Sequence, residues 1–223
     1  MLSTPVFSGS VSSTSAPNLT LPTRLRPHDL LRITDQGASD VLEGRFDHLL
    51  PAGGIWPTGE RWSTRLHADD DVDVWLISWV PDRSTELHDH AGSLGALTVL
   101  SGSLVEYRWA GDGLKRRRLD AGDQASFPLG WVHDVMRAPA SITGQERSLR
   151  SDSLTGQERS LRSDSITGQE RSLRSDPMTP HPTLSVHAYS PPLTAMSYYE
   201  VTDRSALRRT RTELTDEPEG PSK

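Results

Sequence analysis

The sequence predicts a mainly β domain, a sandwich or closed barrel, with short helices on its N-terminal side. Short runs rich in β-branched and aromatic residues recur between Arg61 and Val201, "VDVWLISWV" from Val72 to Val80 being the clearest. Turns containing Gly or Pro separate these runs at short intervals, as in all-β sandwiches and barrels. Helical spacing of Leu and Ile is confined to the stretch Asp29 to Leu50.

Taken in order, residues 1–22 are rich in Ser, Thr and Pro and read as a disordered tail. In "DLLRITDQGASDVLEGRFDHLL" one or two short helices fit, split near Gly37, with "SDVLE" carrying a cap signal. "ALTVLSGSLVEYRWA" reads as two strands around a turn at Ser101-Gly102-Ser103. "GDQASFPLGWVHDVMRA" reads as two more around Pro128 to Gly130, and "TLSVHAYSPPL" and "AMSYYEVT" as a further two. One domain is expected over 23–202, and 203–223, polar and charged, reads as a flexible C-terminal tail. Within the domain, "SITGQERSLRSD" recurs three times with one conservative change, over 141–176. A twelve-residue polar unit is too short to stack into a solenoid core, so the repeat reads as an expanded surface loop.

The net charge of −6 argues against a nucleic-acid partner held by a broad basic face. "KRRR" at Lys115 to Arg118 reads as a solvated strand end or turn. There is no cysteine, which excludes disulfides, thiolate metal sites and cysteine nucleophiles. No stretch approaches the roughly 20 apolar residues of a membrane helix, and the first residues lack the basic and apolar regions of a signal peptide. A cytoplasmic monomer without nucleic-acid or membrane partners is the expectation. "ADDDVD" at Ala68 to Asp73 lacks the Gly and terminal Glu of a calcium loop and reads as a solvated turn.

The chemistry concentrates in "HDH". Alternate residues of a strand share a face, so His88 and His90 aim two imidazoles at one point and Asp89 turns away. A bare pair of this kind is more often surface than site. Here Gly122, Pro128, Gly130 and His133 follow with the spacing G-x5-P-x-G-x2-H, and Gly102 stands seven residues after Gly95. Together these match the two motifs of the cupins, which implies a small double-stranded β-barrel (jelly roll) with a metal inside. The match departs at three places: Gly95 stands at the acid position of the first motif, Arg137 where the second often ends in Asn, and Asp82 where a Gly precedes the first His. With Gly95 in place of the acid, three neutral ligands remain, His88, His90 and His133. Such a set suits an anionic substrate that binds the metal directly. In "TLSVHAYS", Ser185, His187 and Tyr189 alternate with Leu184, Val186 and Ala188, so a hydroxyl, an imidazole and a phenol line one face and can form a relay.

"WLISW", "HDH", "WVHDV" and "SVHAYSPP" together resemble the cysteine dioxygenase family of thiol dioxygenases, bacterial type, over roughly Arg61 to Glu200. The resemblance implies Fe(II) held by His88, His90 and His133, with Ser185, His187 and Tyr189 as the catalytic relay and Trp79 lining the pocket. It also implies an arginine that grips the substrate carboxylate. Arg65 is the better match and Arg61 the runner-up, and a guanidinium suits the task through two parallel hydrogen bonds. The cysteine that cross-links the tyrosine in animal members is absent, Gly95 taking its position, so Tyr189 should be a free phenol. The implied activity is addition of both atoms of O2 to the sulfur of L-cysteine, giving cysteine sulfinate, a step of cysteine catabolism. The alternatives are another small thiol such as 3-mercaptopropionate, or a non-catalytic metal-binding cupin acting as a sensor.

Overall fold

The computed structural model describes residues 25–139 and 182–219. The N-terminal stretch 1–22 and the repeat over 141–176 lie outside the described residues. The described chain forms a helix α1 (Pro27–Leu42) and eleven strands, β1 (Trp62–Ala68), β2 (Asp73–Trp79), β3 (His88–Asp89), β4 (Leu94–Ser101), β5 (Ser103–Trp109), β6 (Leu114–Asp120), β7 (Gln124–Phe127), β8 (His133–Arg137), β9 (Thr183–Ser190), β10 (Ala195–Val201) and β11 (Leu207–Leu214). They pair, antiparallel wherever they touch, into a sheet of order β1-β2-β9-β4-β7 and a second of order β11-β10-β3-β8-β5-β6. This is the jelly-roll barrel implied by the two-motif match, and it agrees with the sandwich or barrel expected from the strand pattern.

Helix, first sheet and second sheet form three layers, and the two sides of the first sheet explain its sequence. All seven residues of β2 and all eight of β9 are buried. Trp75, Ile77, Trp79 and Tyr189 enter the core between the sheets, with Leu97, Leu104, Phe127 and Met196. Val74, Leu76, Leu184, Val186 and Ala188 form a second core under α1, with Leu30, Ala38 and Val41. A strand covered on both faces reads as a continuous apolar run, and polar residues within it are therefore conspicuous. On β9, apart from Thr183 and Ser190 at its ends, those residues are Ser185 and His187, both fully buried.

The N-terminal helix is one element and not two. It runs through Gly37 unbroken. A Cβ there would stand 3.1 Å from a methyl of Val186, so this glycine lets the helix lie close on β9 and does not break it. The helix starts upstream of the "SDVLE" signal, at Pro27, where the Arg26 N–H donates to the Asp29 carboxylate over 2.9 Å. Its buried residues Leu30, Thr34, Ala38 and Val41 recur at helical spacing and make one stripe.

Two polar stretches are strands. "KRRR" lies inside β6, where the backbone pairs with β5 along its length and Arg117 reaches the buried Glu106. Residues 207–214, which read as part of a tail, form β11 on the far edge of the second sheet. Edge strands need little apolar content, because pairing to one neighbour supplies the hydrogen bonds and the outer side faces water. Arg208 pairs with Glu200 across this ladder, and Arg211 with Glu86 and Glu213.

Candidate metal centre

The register of the second sheet assembles the histidines. His88 on β3 stands opposite His133 on β8. His90 follows two residues on, and Asp89 points the other way to accept a 2.7 Å hydrogen bond from the Tyr199 hydroxyl. The three imidazoles contact one another, with ring centroids 4.8 to 5.2 Å apart, and all are buried. Gly95 is where this packing is closest. A Cβ there would lie 2.9 Å from the Phe127 ring and 3.3 Å from the His90 ring, so an acid at this position has no room. Gly102, Gly122 and Gly130 of the two motifs each hold a positive φ of 72°, 89° and 74°, the conformation that makes glycine the favoured residue there.

A carboxylate arrives by another route. Glu219, fully buried, completes a group with His88, His90 and His133 whose ligand atoms all lie within 4.8 Å of one another. Its Oε2 is 3.3 Å from His88 Nε2 and its Oε1 3.5 Å from His90 Nε2. The Nε2 atoms of all three histidines and Glu219 Oε2 have no hydrogen-bond partner. Two of these rings have their other nitrogen engaged: His88 Nδ1 lies 2.9 Å from the Glu86 carbonyl and His133 Nδ1 3.1 Å from Glu106 Oε1, both acceptors. Nδ1 therefore carries the proton in each, and Nε2 presents a lone pair to the centre. Lone pairs and a carboxylate oxygen facing one another in a buried space repel unless a cation lies between them. Three imidazole nitrogens and one carboxylate oxygen form a donor set suited to a first-row divalent ion.

The electrostatics agree. Burial pushes His90 down to about 4, Glu219 offsetting part of it, so the ring is neutral and free to ligate near neutral pH. Burial pushes the Glu106 carboxyl up, but His133, Trp131 and Arg117 outweigh it and hold it at about 2. Burial also raises Glu219, and the imidazoles of His187, His88 and His90 more than reverse this, leaving it well below the usual carboxylate range.

The side chains of Trp79, Ser185, His187 and Tyr189 stand in one chain of polar contacts. Trp79 Nε1 donates to Ser185 Oγ over 2.8 Å, and Ser185 Oγ lies 2.9 Å from His187 Nε2. Because the indole can only donate, the serine proton is free to go to Nε2, which places the ring proton of His187 on Nδ1. Nδ1 stands 3.2 Å from Glu219 Oε1 and 3.3 Å from the Tyr189 hydroxyl, which itself donates to Glu219 Oε1 over 2.8 Å. The phenol is raised well above its ordinary range, first by burial and then by Glu219, so Tyr189 acts as a neutral donor.

The two arginines differ. Arg65, over a third exposed, stacks on the Trp75 ring at 4.3 Å and pairs with Asp216 at 3.0 Å. Arg61 lies over the Trp79 ring, and its Nη2 donates to the Glu219 backbone carbonyl over 3.0 Å. Burial lowers it, against the raising effect of Glu219 and Tyr189. The runner-up thus sits beside the relay, and Arg65 sits outside it.

Sequence reasoning missed Glu219 and Glu106. Glu219 had no signal in a polar segment. Glu106 had one: in "SLVEYRW" it shares a strand face with Leu104, and an acid on an inward face needs a partner.

One sequence-family model matches part of the chain. The sequence model described as cysteine dioxygenase type I matches residues 57–129. That stretch holds Arg61, Arg65, Trp79, His88, His90 and Glu106, and stops short of His133, Ser185, His187 and Tyr189. No curated protein matches the chain. Among solved structures, the chain is similar to KdgF from Halomonas sp., at 12% identity over 61% of this chain and 85% of that one, with a TM-score of 0.38. A conserved protein with a double-stranded β-helix domain from Klebsiella pneumoniae is similar at 16% identity over 74% and 93%, with a TM-score of 0.38. A recombinant oxalate oxidase in complex with glycolate is similar at 14% identity over 67% and 60%, with a TM-score of 0.38.

Proposed function

We propose that this chain, whose residues 57–129 match the cysteine dioxygenase type I family, is an iron(II)-dependent thiol dioxygenase that converts L-cysteine and O2 to cysteine sulfinate. The observation that carries the reading is the adjacency of a three-histidine metal position to the Trp79–Ser185–His187–Tyr189 relay. A metal-binding module has no use for a buried phenol that stands beside His187 and donates to Glu219, a carboxylate of the metal group. An oxygenase uses such a group to orient its reactants.

His88, His90 and His133 hold the iron, which when bound supplies the electron path between a thiolate sulfur and O2. Both oxygen atoms go to sulfur, so the thiol and O2 account for every atom of the sulfinic acid. The residues of the chain bind and orient. Arg61 grips the substrate carboxylate from its place over Trp79, a task the exposed Arg65 is badly placed to share. Tyr189 donates a hydrogen bond at its hydroxyl, and Ser185 and His187 hold that hydroxyl in register. The packed core between the sheets excludes water from around them.

The test is oxygen uptake by iron(II)-loaded protein given L-cysteine, with the product identified. Uptake matched mole for mole to cysteine sulfinate supports the reading. Uptake with 3-mercaptopropionate alone moves the substrate within the class. No uptake with either thiol, at one iron per chain, overturns it.

A further inference from the structure

The reach of Glu219 into the metal centre is not required by the chemistry just described. The cupin motifs place the acid near Gly95, where the packing leaves no space. Glu219 brings a carboxylate to the same centre from residues that follow β11. Segment 215–219 is attached at its two ends. At one end the Thr215 N–H donates to the Thr194 carbonyl over 3.1 Å. At the other, Pro218 and Glu219 are buried, while Asp216 and Glu217 between them are exposed. Glu219 holds a positive φ of 58°, uncommon for a side-chain-bearing residue and persisting only where the surroundings enforce it. The surroundings here are Arg61 on its carbonyl and Tyr189 and His187 on Oε1, while Oε2 faces His88 Nε2 with no hydrogen-bond partner.

These are the handles that an amino-acid thiol would use: a guanidinium, a phenol donor and an open side of the metal position. We propose that Glu219 is a displaceable fourth metal ligand, which binds through Oε2 and keeps an anionic substrate out until segment 215–219 withdraws. The ligand role stands on the geometry alone, whereas the competition with substrate rests on the thiol dioxygenase reading. Withdrawal of the Glu219 end needs little, because the middle of the segment is solvated and the contacts of Arg61, Tyr189 and His187 to Glu219 are those the substrate would take over, while Thr215 on the Thr194 carbonyl and the exposed Asp216 on Arg65 hold the other end.

Cobalt(II) reports on both parts without turnover. The parent, Glu219→Gln, Glu219→Ala and the exposed control Glu217→Gln would be titrated with cobalt(II) against a chelator, and the visible ligand-field bands recorded. Loss of a ligand should weaken binding at least as much as loss of an outer hydrogen-bond partner, about tenfold or more, and should alter the bands, with Glu217→Gln behaving as the parent. Anaerobic L-cysteine should then bind the cobalt(II)-loaded Glu219 variants about tenfold more tightly than the parent, read from the thiolate-to-cobalt band. Unchanged cobalt(II) affinity and unchanged bands in both Glu219 variants overturn the ligand role. Weaker cobalt(II) binding with cysteine binding no tighter overturns the displacement. Because glutamine and alanine remove the carboxylate in different ways, either folded variant suffices, with melting of the metal-free protein as the check. If the iron protein consumes no oxygen while the cobalt(II) results hold, the thiol dioxygenase reading fails and the ligand role stands.

Discussion

Glu106 and His133 lie 3.1 Å apart on neighbouring strands, both fully buried, with the carboxylate accepting from Nδ1. The carboxylate also accepts from Trp131 Nε1 and is paired to Arg117, so it is fixed before any metal arrives. It sets the tautomer that turns Nε2 of His133 towards the centre. Glu106→Gln should therefore weaken metal binding by about 10- to 100-fold while the fold persists. A chelator competition with iron(II) or cobalt(II) measures this, and an affinity equal to the parent's would remove Glu106 from the centre.

Tyr189 is where an oxygenase and a binding module part company. Tyr189→Phe deletes one hydroxyl from a packed core and leaves the three histidines in place. Turnover is expected to fall about 100-fold, in the range of a single positioned proton or hydrogen-bond donor. Steady-state oxygen uptake gives the number, and a rate within a factor of two of the parent would show that the relay is structural.

The two arginines make opposite forecasts. Removing a charge-assisted grip on a carboxylate costs about 1.5–3 kcal/mol, which is about 10- to 100-fold in kcat/KM. Arg61→Ala should show that loss, most of it in KM, and Arg65→Ala should stay near the parent because its partners are Trp75 and the exposed Asp216. The reverse pattern would restore Arg65 as the clamp.

Stability should fall at both ends of the pH scale in the metal-free protein. Glu106 has its folded value depressed from 4.5 to about 2. The unfolded chain then binds the extra proton first, so its contribution is present above about 4.5 and is lost as pH falls towards 2. Tyr199 is the mirror case: burial and its hydrogen bond to Asp89 raise it from 10.0 to about 12. Its contribution is present below 10 and is lost as pH rises towards 12. Chemical denaturation across pH reads both limbs. In Glu106→Gln the acid limb should flatten, and a limb as steep as the parent's would assign it to other groups.

The repeat should be removable. Among the described residues flanking the repeat, the Ala138 N–H donates to the Ser103 carbonyl and the Pro182 carbonyl accepts from Ser101 Oγ. Both flanks thus meet at one turn between β4 and β5, with Ala138 five residues beyond His133 along the chain, or roughly 17 Å. Deleting two twelve-residue units should alter stability by less than about 1 kcal/mol by the logarithmic closure law and leave turnover unchanged. A drop of several degrees in Tm, or of more than twofold in kcat, would show that the repeat supports the barrel.

Much of the fold was legible because strand periodicity is local. "VDVWLISWV" and "TLSVHAYS" lie between two cores and read as uninterrupted strands, and the polar residues within the second stood out for that reason. Helix α1 was harder to read: Gly37 signals a break until the sheet beneath it is known. β11 was illegible, since an edge strand rich in Arg and Thr carries the composition of a tail.

The same division holds at the metal centre. Spacing alone brought His88 and His90 to one face, and the second motif supplied His133, because strand alternation is a property of neighbours in sequence. Alternation likewise aligned Ser185, His187 and Tyr189. The arrival of Glu219 from a remote polar segment and the positions of Arg61 inside and Arg65 outside were decided only when the sheets closed. These are contacts between residues far apart in the chain, such as the 158 positions separating Arg61 from Glu219. They leave no periodic trace, because the energy that selects them comes from burial and charge in the assembled barrel.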